Sequence, residues 1–228
     1  EDYGGVFLVG TTNHIAPPSF TMHGGTISDN TAGASDGGGG GVYVGEKCSF
    51  TMDGGTITGN TATNGNGGGI YIHFNAGTVS ISNATITDNK ASATGNTSYG
   101  HGGGIYSERG VTVKDVTITG NNSTFEGGGI YGKGAITLTD ATVTDNNQYD
   151  VYYGGVEGTT SNSKLTVSGL VKAGYYANFD WKMPILVSGK LSEDSVIRVG
   201  VREGIKPNAG GSLLIAEPAS GVTLRAKN

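Results

Sequence analysis

A chain of 228 residues with 43 glycines, 5 prolines and a hydrophobic fraction of 35% suits neither collagen nor a Pro-rich linker; it suits regular turns around a narrow core. Its 14 basic and 19 acidic residues are scattered without runs and give a net charge of −5, so the attraction that dominates binding to DNA, RNA or anionic membrane is missing. The single cysteine, Cys48, excludes an internal disulfide and reads as a small filler at a coil edge, and no apolar stretch approaches the roughly 20 residues of a membrane-spanning helix.

Taken in chain order, the first element is Gly4-Gly5-Val6-Phe7, which reads as a returning strand, so the segment is expected to start inside a larger chain. Phe20 to Asn30 then opens a self-similar series that continues at Phe50 to Asn60, Val79 to Asn89, Val111 to Asn121 and Ile136 to Asn146. In each copy an apolar residue (Met22, Met52, Ile81, Val113, Leu138) precedes the next (Ile27, Ile57, Ile86, Ile118, Val143) by five positions. Between them lies a turn row, Gly24, Gly54, Asn83, Asp115 and Asp140, of the residue types that best tolerate positive φ. The Thr-Ile-Thr triplets that follow alternate as a strand requires. Three residues after each inward Ile or Val stands Asn30, Asn60, Asn89, Asn121 or Asn146, an amide column able to hydrogen-bond from coil to coil.

A third strand returns as Gly40-Gly41-Val42-Tyr43, Gly68-Gly69-Ile70-Tyr71, Gly103-Gly104-Ile105-Tyr106 and Gly128-Gly129-Ile130-Tyr131, with a weaker copy expected at Gly154-Gly155-Val156-Glu157. Leu165-Thr166-Val167 reads as one more first strand. Tyr175 to Met183 breaks the pattern and carries Trp181, expected over the open end of the core. Pro184 to Ser188, Ser195 to Val201, Ser212 to Ala216 and Val222 to Ala226 read as strands. The expectation is an all-β, right-handed parallel β-helix with three short strands per coil, about six coils and one coil per ~25–35 residues, in residues 1–170, followed by a last coil and a β-rich C-terminal cap in residues 171–228.

The paired motifs Ile57-Thr58-Gly59-Asn60-Thr61-Ala62 and Gly67-Gly68-Gly69-Ile70-Tyr71 resemble the repeats of bacterial polymorphic outer-membrane proteins and related β-helix adhesins, over roughly residues 4 to 163. Pro184 to Leu191 looks like the segment that closes such helices in large bacterial surface proteins. This chain departs from the outer-membrane family in showing no transmembrane barrel, wall anchor or signal peptide. The resemblance implies an extracellular or cell-surface location. It also equates the third strand with the sheet on which pectate-lyase-like β-helices bind saccharides.

Several rows and acids are candidates for chemistry. If Val42, Ile70, Ile105 and Ile130 point inward, then Tyr43, Tyr71, Tyr106 and Tyr131 form an outward column able to stack on sugar rings or to shield the strands. Tyr99 lies in the longest inter-strand loop, Lys90 to His101, beside that column. Asp29, Asp88 and Asp145 alternate with Gly59 and Gly120 in a fixed slot, which assigns them to structure. Glu108, Glu126, Asp150 and Glu157 fall outside the fixed slots, and a glycosidase would need two carboxyls about 5–10 Å apart. His14, His23, His73 and His101 lack ligand spacing, so neither a metal nor a cofactor is expected. Hydroxyl pairs such as Thr56/Thr58 and Thr85/Thr87 resemble the rows of ice-binding solenoids but are also favoured on any exposed strand. The sequence therefore points to a non-catalytic surface or secreted bacterial module, in adhesion, glycan or protein binding, or as a stalk. Its expected partner is a host or environmental glycan or surface protein. A carbohydrate-active enzyme (a polysaccharide lyase or glycoside hydrolase) is the competing reading, and ice binding a third.

Overall fold

The computed structural model describes residues 4–10, 17–33, 38–95, 97–154, 165–177, 185–200 and 216–218. His14, Glu157, Trp181 and the expected strand at Val222 to Ala226 lie outside these residues, as does most of Ser212 to Ala216. All described strands pair in parallel, and the chain winds as a β-solenoid with three principal faces. The first face stacks Ser19–Met22, Ser49–Met52, Val79–Ser82, Val111–Lys114, Ile136–Thr139, Leu165–Gly169, Ile185–Leu191 and Ala216–Pro218. The second stacks Thr26–Ser28, Thr56–Thr58, Thr85–Thr87, Thr117–Thr119 and Thr142–Thr144. The third stacks Val6–Leu8, Val42–Val44, Ile70–Ile72, Ile105–Ser107, Ile130–Gly132 and Val151–Tyr153.

Register follows from which side chains can be buried, since a slip by one residue would turn every apolar side chain to water. Ile57, Ile86, Ile118 and Val143 lie directly over one another, and each is fully buried. The core is a stack of such columns: Met52, Ile81, Val113 and Leu138 on the first face, Val42, Ile70, Ile105 and Ile130 on the third. Each buried aliphatic side chain contributes roughly 1.5–3 kcal/mol. The slender core is sufficient because every coil buries its apolar side chains against two neighbours.

Between the second and third faces, a short extra strand follows Asn30, Asn60, Asn89 and Asn121: Thr31–Gly33, Thr61–Thr63, Lys90–Ser92 and Asn122–Ser123. Its inward residue is always small, Ala32, Ala62, Ala91 or Ser123, all buried. The Asn side chains close the bend. The Asn60 amide and Nδ2 donate to Asn89 Oδ1, and the Asn89 amide and Nδ2 donate to Asn121 Oδ1, each bond 3.0 Å long. Asn121 repeats the pattern onto Asn146. Each Nδ2 from Asn60 onward also reaches a carbonyl of the preceding coil, as Asn89 Nδ2 reaches Ile57 O at 3.0 Å.

The residue before each Asn carries the left-handed backbone: Asp29, Gly59, Asp88, Gly120 and Asp145 have φ of 57°, 66°, 55°, 69° and 59°. The alternation is steric, because a Cβ on Gly59 would stand 2.4 Å from Asp29 Oδ1, and one on Gly120 equally close to Asp88 Oδ1. The turn between the first two faces departs from expectation in two coils. Asn83, Asp115 and Asp140 are left-handed there, but in the Gly-Gly copies the positive φ falls on Gly25 (83°) and Gly55 (95°) rather than on Gly24 and Gly54. Either glycine can bend, and the chain uses the second.

The last coils also differ from the pattern. The third-face strand after Asn146 is Val151–Tyr153, with Val151 and Tyr152 beneath Ile130 and Tyr131; of the copy expected at Gly154 to Glu157, only Gly154 lies within the described residues. Lys172–Ala177 then pairs with Thr142–Thr144 at its start and with Val151–Tyr153 at its end, so one straight strand spans two faces. Tyr175, which the sequence pattern set outside the repeat, fills the inward position under Val151 and is buried. Val196–Gly200 lies on that strand in register.

Candidate binding face

The third face carries a continuous ladder of rings. Phe7, Tyr43, Tyr71, Tyr106, Tyr131, Tyr152 and Tyr176 occupy matched positions in successive strands. Successive centroids are 4.9, 5.0, 5.2, 5.2, 5.4 and 5.4 Å apart. The ladder exists because the inward residue of each strand is aliphatic and its neighbour, one position on, must face the other way. Parallel stacking at the inter-strand spacing then brings the rings face to face.

The same stacking closes the middle of the ladder to ligands. Tyr43, Tyr71, Tyr106 and Tyr131 each have a ring above and a ring below, so neither face is open to a sugar. Tyr71 and Tyr106 are 6% and 3% exposed although they point away from the core. Gly102 packs so near that a Cβ there would stand 2.7 Å from Tyr106 Cβ, and Gly127 crowds Tyr131 similarly. Burial, reinforced by the nearby Glu108 carboxylate, drives the Tyr71 and Tyr106 hydroxyls far above the ordinary phenol range, and burial pushes Tyr131 up to about 12. Tyr99 sits half-buried in the loop ahead of Ile105, off the strand register.

Ring surface is available at the ladder's edge. Tyr149 is 45% exposed, held at φ 73° directly after Gln148 at φ 49°, and stacks on Tyr176 at 4.3 Å and Tyr152 at 5.8 Å. Positive φ in a bulky aromatic residue costs roughly 1–3 kcal/mol and persists only where its surroundings impose it. Here the Gly127 amide donates to Gln148 O at 2.7 Å, which brings Tyr149 and Glu126 to either side of one backbone rung. The Glu126 carboxylate meets His101 Nδ1 at 2.9 Å, and its field reaches both Tyr131 and Tyr152. The His101 ring beside Glu126 holds its carboxyl below the usual carboxylate range. His101 itself packs against Phe125 and Tyr131, with centroids 5.6 and 4.7 Å away.

The acids are placed as follows. Glu108 accepts from the Tyr71 hydroxyl, from the Phe74 amide at 3.3 Å and from Lys133 Nζ at 3.4 Å, and Lys133 lies 5.5 Å over the Tyr106 ring. Asp150 ends the Asn column: its Oδ1 accepts from the Asn146 amide and Nδ2 at 3.0 and 3.1 Å, and its Oδ2 from the Gly174 amide at 3.0 Å. It takes the place that another Asn would occupy, which accounts for a carboxylate outside the repeat slots. Glu108 follows the third-face strand and Glu126 precedes the next, so the two sit toward opposite ends of that face.

His23 pairs with Asp53 at 2.7 Å on the surface, and the His73 ring lies tilted against Phe74 with centroids 4.2 Å apart. Among the described residues no three His, Cys, Asp or Glu side chains converge in a metal-binding group. The second-face rows Thr26, Thr56, Thr85, Thr117, Thr142 and Ser28, Thr58, Thr87, Thr119, Thr144 run in register. The first face carries hydroxyls in the same way at Thr21, Thr51, Thr137 and Thr166, so hydroxyl rows are the general outer covering of this solenoid. Tyr149, Tyr152, Tyr176 and Phe125 did not figure among the sequence candidates; the aliphatic-Tyr pair Val151-Tyr152 was the available signal.

The stacked columns and closed Asn bends define a parallel β-solenoid of the three-faced kind. A family model described as a right handed beta helix region matches residues 4–171, and the chain belongs to that family. Comparison with curated proteins and with solved structures gives no match.

Proposed function

We propose that this β-helix is a non-catalytic module of the bacterial cell surface or secreted fraction that binds a glycan at the edge of its tyrosine ladder. The observation that carries the reading is Tyr149: a half-exposed ring held in a strained backbone, flat on Tyr176, one backbone rung from Glu126. An apolar ring face with a carboxylate-bearing residue on the neighbouring rung suits a pyranose, which stacks its C–H face and donates hydroxyls at its rim. The resemblance to bacterial adhesin repeats supports the location, and the saccharide-binding sheet of pectate-lyase-like helices supports the face.

Binding is favoured over turnover because of the partners of the acids. Glu108 and Asp150 are each held by hydrogen bonds from side chains or amides of the fold, and Glu126 is paired with His101. A glycan array with wild-type protein and Tyr149→Ala, run beside a reducing-sugar assay, tests the reading. Retention of an oligosaccharide without product release, lost in the variant, supports it. Sugar release abolished by Glu108→Gln or Glu126→Gln would replace it with the enzyme reading.

A further inference from the structure

His101 is 8% exposed, and its two ring nitrogens face groups of contrasting kinds. Nε2 lies 2.9 Å from the Thr97 carbonyl, which can only accept, so Nε2 carries a proton. Nδ1 has two neighbours. The Glu126 carboxylate stands 2.9 Å away and, when ionised, can only accept; the Glu126 amide stands 3.4 Å away and can only donate. The close carboxylate requires a protonated Nδ1 and hence an imidazolium. The amide requires a bare Nδ1 and hence the neutral ring. One atom therefore has two partners that it cannot satisfy together, and the number of protons on the ring decides between them.

We infer that loss of the Nδ1 proton to water passes that nitrogen from the Glu126 carboxylate to the Glu126 amide and frees the carboxylate to turn toward the tyrosine edge. A lone pair facing an ionised oxygen at 2.9 Å is repulsive, and the Glu126 side chain, 37% exposed, has water to turn into. The ring itself stays in place, because Thr97 still holds Nε2 and Phe125 and Tyr131 still flank it. Asn66 fixes its backbone by accepting from the His101 amide at 3.0 Å. Among the described residues, the charged and titratable groups coupled to the pair are Tyr131, Tyr152 and, through Tyr131, Lys133. Burial raises both tyrosine hydroxyls above the ordinary phenol range, so neither takes part in the exchange of partners at Nδ1. The inference rests on the glycan reading for its purpose: a proton-controlled acceptor beside Tyr149, available as pH rises.

The test needs no ligand. In uniformly ¹³C,¹⁵N-labelled protein, the His101 ring nitrogens, the Glu126 side-chain carboxyl carbon and the Glu126 amide are followed by NMR from about pH 5 to about pH 9. The expected result is a single transition shared by all three. His101→Gln is expected to abolish it and to return the Glu126 carboxyl titration to the ordinary range, about 4.3. Ring nitrogens that titrate while the Glu126 carboxyl and amide stay flat would overturn the inference, and this wild-type measurement decides even if the variant does not fold. A silent glycan array would remove the binding reading alone, and a silent Glu126 would remove the switch alone.

Discussion

Replacing Asn89 by Ala isolates what the amide column contributes. Asn89 is fully buried, and its side chain makes five hydrogen bonds: Oδ1 accepts from the Asn60 amide and Nδ2, and Nδ2 donates to Ile57 O, Thr87 O and Asn121 Oδ1. Several of these partners keep another bond in the variant. Thr87 O still accepts from the Gly59 amide, Asn121 Oδ1 from the Asn89 amide, and Asn60 Nδ2 still donates to Ile27 O and Thr58 O. One group is left orphaned, the Asn60 N–H, whose partner is Asn89 Oδ1; Ile57 O keeps its place in the ladder between Thr56–Thr58 and Thr85–Thr87. At roughly 1–3 kcal/mol for a buried unsatisfied group, the expected loss is about 1–3 kcal/mol, a sizeable part of the 5–15 kcal/mol typical of a folded domain. Guanidinium unfolding followed by far-UV circular dichroism measures it. The control is Asn122→Ala, whose side chain accepts a bond from Asn147 Nδ2 at the surface and should cost below about 1 kcal/mol. An Asn89→Ala loss no larger than the control, at unchanged m-value, would refute the claim that the column closes the bend.

Three further outcomes follow from the same geometry. Because burial raises the ladder tyrosines, the folded state keeps protons that the unfolded chain sheds; their stabilisation is complete below about pH 10, the free phenol value, and is lost as pH rises through the folded values. An absorbance titration should therefore show Tyr131 ionising at about 12 with Tyr71, Tyr106 and Tyr152 later or only on unfolding, and a single wave near 10 would contradict it. Gly69→Ala places a Cβ 2.6 Å from Gly104 O and should lower stability by about 1–3 kcal/mol, whereas Gly24→Ala meets nothing within 4 Å and should change it by less than about 1 kcal/mol by thermal melting. Asp150→Ala removes the acceptor for the Asn146 and Gly174 amides and should cost about 2–4 kcal/mol in a denaturant titration.

How much of this was legible depends on whether position or packing carries the information. Ile57, Ile86 and Ile118 keep one distance from the preceding apolar residue, so their vertical alignment could be read from spacing alone. The Asn column was readable for the same reason. The turn at Gly24-Gly25 was not, because glycine is indifferent to the sign of φ at both positions and only the neighbouring coil decides. Lys172–Ala177 hid its role by lacking the Asn bend and the glycine pair that mark a corner. The site was less legible still. Tyr71 and Tyr106 show only that an aromatic residue recurs; that each ring occupies its neighbour's faces, leaving Tyr149 at the edge, is a consequence of stacking. His101 and Glu126 belong to loops of unequal length, and no spacing rule joins them.

The straight strand Lys172–Ala177 has an effect on the next layer. It runs across what is elsewhere a corner between the second and third faces, and it pairs along its length with Val196–Gly200. The layer that follows is therefore carried by one continuous ladder of amides instead of two separated by a bend, so a strand pairing there must be long and unbroken, as Val196–Gly200 is.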